Sequence, residues 1–256
     1  MKANYNLQGK RVLVTGGASG IGLGTVMAFL RCGASVAIND LPGSQQLAQV
    51  TGQLSADGHD VINAVGNVGD PADAPRMVGD AIDAMGGLDY LINNAGTPGT
   101  TKTIPASDFE SQDEDLWSLL INVNLIGPFR CTKAAAEALK SSSGAIVNTT
   151  SISALGGGGS SSVYCATKAG LVNLTKEWAR ALAPQVRVNA VAPGYVDSDW
   201  MCGFDDENSE NFRPAETVPL KRIGMPEEYA ETILFLCAGA DYVTGQTLNV
   251  DGGMTT

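Results

Sequence analysis

Residues 11–22 read RVLVTGGASGIG. The first five, Arg11–Thr15, make a β-branched run of strand length. Glycines follow at 16, 17, 20 and 22, and over Gly20–Cys32 the apolar residues recur at helical spacing. A strand that runs through a glycine turn straight into a helix is the opening unit of a parallel α/β sheet. The rest of the chain repeats the unit. Apolar runs of strand type stand at Ala34–Ile38, Asp60–Ala64, Leu88–Ile92, Ala145–Thr149, Val186–Val191 and Thr247–Val250. Between them lie helical stretches: Ser44–Ala56, one opening at Asp70-Pro71 with Asp as N-cap, a long one over Asp113–Leu139, then Val163–Leu182 and Glu227–Cys237. The alternation predicts a doubly wound, Rossmann-type α/β fold, a seven-stranded parallel sheet with helices on both faces.

One stretch interrupts this pattern. Residues 155–162, LGGGGSSS, have the composition of a flexible linker. The strand–helix alternation continues across it, however, and the 95 residues from position 162 onward would carry only two strands. The expectation is one domain over residues 1–256, with the glycine loop inside it and a substrate lid at about 199–217.

The composition narrows the function classes. The chain has 256 residues, 44% hydrophobic and 17% charged, which suits a packed globular domain. Its net charge is −11 and no Lys/Arg cluster breaks it, so nucleic acid and anionic membrane surfaces are not expected partners. The five cysteines are widely spaced, with no CxxC pair, and read as reduced thiols filling core space. His59 is the one histidine, so no His-based metal site is expected. The opening MKANYNLQGK has no apolar signal segment and no run of about 18 apolar residues occurs, which makes the cytoplasm the expected location.

The glycine turn has a chemical meaning. Gly16, Gly20 and Gly22 give one residue for the tight turn, one for close approach of backbone to a pyrophosphate, and one for helix–strand packing. The helix that follows points free N–H groups at the anion. Asp40 ends the second strand, 18 residues after Gly22, where a carboxylate would accept hydrogen bonds from an adenosine ribose and repel a 2′-phosphate. Between Arg31 and Arg76 there is no Lys or Arg to bind such a phosphate. The cofactor expected is therefore NAD.

TGGASGIG at 15–22, NNAG at 93–96, YCATK at 164–168 and Pro193-Gly194 occur in this order and span nearly the whole chain. This set resembles the short-chain dehydrogenase/reductase family. The resemblance implies a catalytic group of Asn124, Ser151, Tyr164 and Lys168, with Asn122 the second choice for the asparagine. It implies cofactor contacts from Gly16, Ser19, Gly20, Ile21 and Gly22, from Asp40 and Leu41, and from Asn67 and Val68 at the adenine. It adds Asn94, Ala95 and Gly96 along the cleft, and Pro193, Gly194, Val196 and Ser198 at the nicotinamide. A homotetramer paired through the fourth and fifth helices is also implied.

Tyr164 and Lys168 stand four residues apart, on one helical face. The expectation is that the lysine ammonium, helped by the positive nicotinamide ring of NAD⁺, lowers the phenol from its ordinary pKa near 10 so that it can act as general acid and base. Asn124 is implied to anchor a water that carries the proton out past Lys168. Trp200, Met201, Phe204 and Phe212 in the lid suggest a neutral, lipophilic secondary alcohol and its ketone. The alternative within the resemblance is an NADPH-dependent 3-oxoacyl carrier-protein reductase.

Overall fold

The computed structural model describes residues 5–198 and 214–256. Among these, seven parallel strands form one sheet: β1 (Arg11–Val14), β2 (Ser35–Asp40), β3 (Val61–Val65), β4 (Tyr90–Asn93), β5 (Ala145–Thr149), β6 (Arg187–Pro193) and β7 (Thr247–Val250). Their order is β3-β2-β1-β4-β5-β6-β7. The order reverses direction between β1 and β4, and in open parallel sheets the crevice at such a switch point is where ligands bind. Both faces are covered. Val12, Val14, Ile38, Ile92 and Val147 pack into one buried layer, and Leu13, Leu91, Ile146 and Val188 into the other. Strands buried on both sides explain why they read as continuous apolar runs.

The helices are α1 (Gly20–Arg31), α2 (Gln45–Ala56), α3 (Asp73–Met85), α4 (Glu114–Leu120), α5 (Gly127–Ser142), α6 (Ser153–Gly156), α7 (Ser162–Leu182), α8 (Pro214–Thr217) and α9 (Pro226–Ala238). Asp70 accepts from the N–H groups of Ala72 and Asp73, both at 2.8 Å, so it caps as expected while regular helix begins only at Asp73. The long helix expected over 113–139 is not continuous. Residues Ile121–Ile126 between α4 and α5 form a π-helical segment. One extra residue per turn leaves the apolar pattern nearly unchanged, so the spacing did not disclose it.

The glycine stretch lies inside the domain. It closes α6 and leads to Ser161, whose hydroxyl accepts from Tyr164 N at 3.2 Å and caps α7. It is also tied to the loop after β4: Ile104 N donates to Ser160 O at 2.8 Å, and Gln112 Oε1 accepts from Ser162 N at 2.9 Å. The lid expected at 199–217 falls outside the described residues except for 214–217. Among the described residues no helix is long and apolar enough to cross a membrane.

Candidate active site

The expected site residues gather along the carboxyl edge of the sheet. The turn after β1 is shaped by its glycines. Gly16 has φ of +61°, and a Cβ there would stand 2.9 Å from Ala95 Cα. A Cβ on Gly22 would run into the Gly16 carbonyl oxygen. The α1 N-cap Ser19 makes no side-chain cap, and the first intrahelical bond there runs from Leu23 N to Ser19 O. Gly20, Ile21 and Gly22 therefore open α1 with their N–H groups turned to the crevice. This is a cradle for an anionic group, and a dinucleotide pyrophosphate fits it. Ser198 comes across the crevice to Gly20: a Cβ built there would be 3.7 Å from Ser198 Cβ.

Two residues outside the expected set build this cradle. Thr15 Oγ1 accepts from the N–H groups of Asn94 and Ala95, both at 3.0 Å. Asn94 returns the contact, its Nδ2 donating to Thr15 O at 3.1 Å and Gly16 O at 3.0 Å. Asn39, fully buried at the end of β2, donates to Ala64 O at 2.8 Å and Gly66 O at 2.9 Å. Its backbone oxygen receives Gly17 N at 2.8 Å. A polar amide in an otherwise apolar strand, VAIND, was the available signal for Asn39.

Asp40 sits half-buried at the tip of β2. Its Oδ1 accepts from Leu41 N at 2.8 Å and its Oδ2 from Ser44 Oγ at 2.9 Å. Leu41 is exposed beside it. The first Lys or Arg after this strand, Arg76, pairs with Asp73 and Asp80 and donates to Val65 O. At the expected adenine edge, Asn67 Oδ1 accepts from Gly69 N at 2.8 Å, so this amide turns back on its own loop. Val68 is buried and packs where a Cβ on Gly127 would lie, 3.2 Å from Val68 Cγ2.

The four expected catalytic residues come together at the ends of β4 and β5. Ser151 follows β5 and hydrogen-bonds Tyr164. Lys168 Nζ lies 5.7 Å from the Tyr164 ring centroid and donates to Thr149 O at 2.9 Å. Asn124, fully buried in the π-helical segment, clamps the backbone of Thr97: its Oδ1 accepts from Thr97 N and its Nδ2 donates to Thr97 O, both at 2.9 Å. Its side chain thus holds the loop after Gly96. A Cβ on Gly96 would lie 3.3 Å from Asn124 Oδ1 and 3.5 Å from Lys168 Nζ, so only glycine leaves the two groups uncovered. Asn122 is elsewhere, donating to Ser118 O and accepting from Arg130. π-Helical segments are rare and cluster at functional sites.

Burial sets the electrostatics of the cofactor-free chain. Burial pushes the Tyr164 phenol up to about 12, against the pull of the Ser151 hydrogen bond. Burial also pushes the Lys168 ammonium down to about 8. In the free chain burial is the largest influence on both groups. At neutral pH Tyr164 is protonated, the form that donates.

The remaining residues complete the far wall. Pro193 O accepts from Ile152 N, and Gly194 N donates to Val250 O, both at 3.0 Å. Val196 forms a bridge to Gly224. Gly159 closes over the catalytic helix: a Cβ there would be 2.8 Å from Tyr164 Cδ1 and 3.0 Å from both Cys165 Sγ and Ser153 Oγ. The linker-like stretch is part of the cleft.

A family model described as enoyl-(acyl carrier protein) reductase matches residues 16–255. The chain is 38% identical over 246 residues to a 3-oxoacyl-[acyl-carrier-protein] reductase of Synechocystis sp., covering 94% of this chain and 95% of the relative. A solved short-chain dehydrogenase/reductase of the glucose/ribitol dehydrogenase type from Brucella melitensis superposes with a TM-score of 0.88 at 30% identity, over 99% of this chain and 100% of that one. The chain belongs to the short-chain dehydrogenase/reductase family. It is accordingly an oxidoreductase served by a nicotinamide cofactor. A family structure from Burkholderia cenocepacia, in complex with NADP, matches with a TM-score of 0.86 at 30% identity, over 98% of this chain and 100% of that one.

Proposed function

We propose that this short-chain dehydrogenase/reductase interconverts a ketone and its secondary alcohol, with Tyr164 as the proton donor and acceptor. The observation that carries the reading is the contact of Ser151 with Tyr164, with Lys168 one helical turn on, beside the glycine cradle of α1. The nicotinamide supplies or accepts the hydride when bound. In ketone reduction Ser151 donates a hydrogen bond to the substrate oxygen and Tyr164 gives it a proton. Lys168, held by Thr149 O, contributes positive charge near the phenol as that proton leaves. Asn124 fixes the Thr97 loop that borders the reacting centre.

Two observations bear on the finer specificity. The Synechocystis relative supports reduction of a 3-oxoacyl thioester, and we place this substrate class ahead of a free lipophilic alcohol. The aromatic side chains that suggested the latter lie in 199–213, outside the described residues. The cofactor reading rests on Asp40, whose carboxylate is fixed at the β2 tip by Leu41 N and Ser44 Oγ. It supports NADH, since a 2′-phosphate there would face a like charge with no Lys or Arg between residues 32 and 75. The NADP-bound family structure supports NADPH instead. Fluorescence titration with each reduced cofactor, followed by turnover of acetoacetyl-CoA and of simple ketones, separates the readings. Tighter NADPH binding would overturn the Asp40 assignment. Turnover of simple ketones with none of the thioester would restore the alcohol reading.

The proposal includes a homotetramer paired through the helices expected over 113–139 and 163–182, which correspond to α4 with α5 and to α7. Trp117, Leu119 and Phe129 expose apolar surface on the first of these, and light scattering on the purified chain tests the state.

A further inference from the structure

Ser151 has three polar neighbours. The Ser153 backbone N–H donates to Ser151 Oγ at 3.1 Å, the Ser153 hydroxyl oxygen lies 3.1 Å from it, and the third neighbour is the Tyr164 hydroxyl. Ser151 itself has one proton and two lone pairs. Reduction of a ketone needs that proton on the substrate side. If Ser151 gave it to Ser153, it could not donate to the substrate oxygen. If a lone pair of Ser151 stood open, the Tyr164 proton could rest there instead of passing to substrate.

Ser153 can prevent both. It is 7% exposed, opens α6, and its hydroxyl has no other hydrogen-bond partner among the described residues. Gly159 lies beside it without a side chain: a Cβ there would stand 3.0 Å from Ser153 Oγ, so glycine leaves that hydroxyl its place against Ser151.

We infer that Ser153 is a positioning residue whose hydroxyl donates to Ser151, so that its N–H and O–H together fill both lone pairs of Ser151 and direct the Ser151 proton to the substrate oxygen. The inference rests on the role proposed above for Ser151 and Tyr164. It assigns a task to a residue that no composition or spacing signal singled out.

A double-mutant cycle tests it, with ethyl 3-oxobutanoate and acetoacetyl-CoA as probes and saturating reduced cofactor. Ser153→Ala should lower kcat about fivefold, the size of one well-placed hydrogen bond, and leave the NADH dissociation constant unchanged. In a Ser151→Ala background the same substitution should have no further effect. Ser153→Thr, which keeps the hydroxyl, should restore most of the rate. Equal losses in both backgrounds would make Ser153 a packing residue only and overturn the inference, as would a Ser153→Ala enzyme with wild-type kcat. Failure of the underlying reading looks different. Ser151→Ala alone would then turn over like the wild type, or the wild type would reduce no ketone, and the inference would fall with it.

Discussion

Replacing Lys168 by methionine should make the free protein more stable at neutral pH while removing its activity. Lys168 is 4% exposed, and its Nζ has a hydrogen bond to Thr149 O. Burial lowers its pKa from 10.5 to about 8. Between about pH 8 and 10.5 the unfolded chain therefore holds a proton that the folded chain has released. Folded stability rises with pH across that window, and below it the full penalty applies. At about 1.4 kcal/mol per pH unit the penalty is about 3 kcal/mol at pH 7. Methionine keeps the apolar stem and removes the penalty. It forfeits one hydrogen bond, about 1 kcal/mol. The net gain is about 2 kcal/mol at pH 7, and it turns into a loss of about 1 kcal/mol near pH 10.5. Denaturant midpoints of the two proteins at both pH values, read by circular dichroism, give the comparison. Turnover should fall by at least ~10²-fold. A Lys168→Met protein that is destabilised equally at both pH values would refute the reasoning, because its lysine would then carry no desolvation penalty.

Gly22→Ala should abolish reduced-cofactor fluorescence binding and cost on the order of 3 kcal/mol or more, because its Cβ would meet the Gly16 carbonyl oxygen. Wild-type thermal stability in that variant would contradict the turn geometry. Asp40→Ala should tighten NADPH binding at least ~10-fold relative to NADH, through removal of one like charge beside the 2′-phosphate. Unchanged discrimination would place the selector elsewhere. Asn124→Ala removes both clamps on Thr97 and should lower stability by about 2–3 kcal/mol, measured by chemical denaturation. A variant as stable as the wild type would mean the loop holds without them.

The sheet was legible because each strand is buried on both faces, and such strands must be apolar along their length. RVLVT, LDYLI and AIVNT had little else they could be. The cradle was legible because Gly16 and Gly22 stand where a side chain has no space. The π-helical turn was not, since Leu120, Asn124 and Leu139 keep a near-helical spacing whether or not one turn is widened. Nor was the state of Tyr164. Spacing places Lys168 on the same face, but the phenol's acidity depends on how much water the fold removes from both groups, and burial pushes the phenol up to about 12. Thr15 and Asn39 act through backbone groups distant in sequence. Their partners, Asn94 and Gly66, are fixed only once the strands are assembled, and the Ser153 contact, two residues from Ser151, carries no pattern that sets it apart from any other serine pair.

The central claim is that the Tyr164 hydroxyl moves the proton that accompanies hydride exchange at the substrate carbon. Tyr164→Phe removes one oxygen atom and little else. Its kcat for a ketone that the wild type reduces should fall by at least ~10²-fold, with NADH bound as tightly as before. A Tyr164→Phe enzyme that turns over within a few-fold of the wild type would contradict the claim.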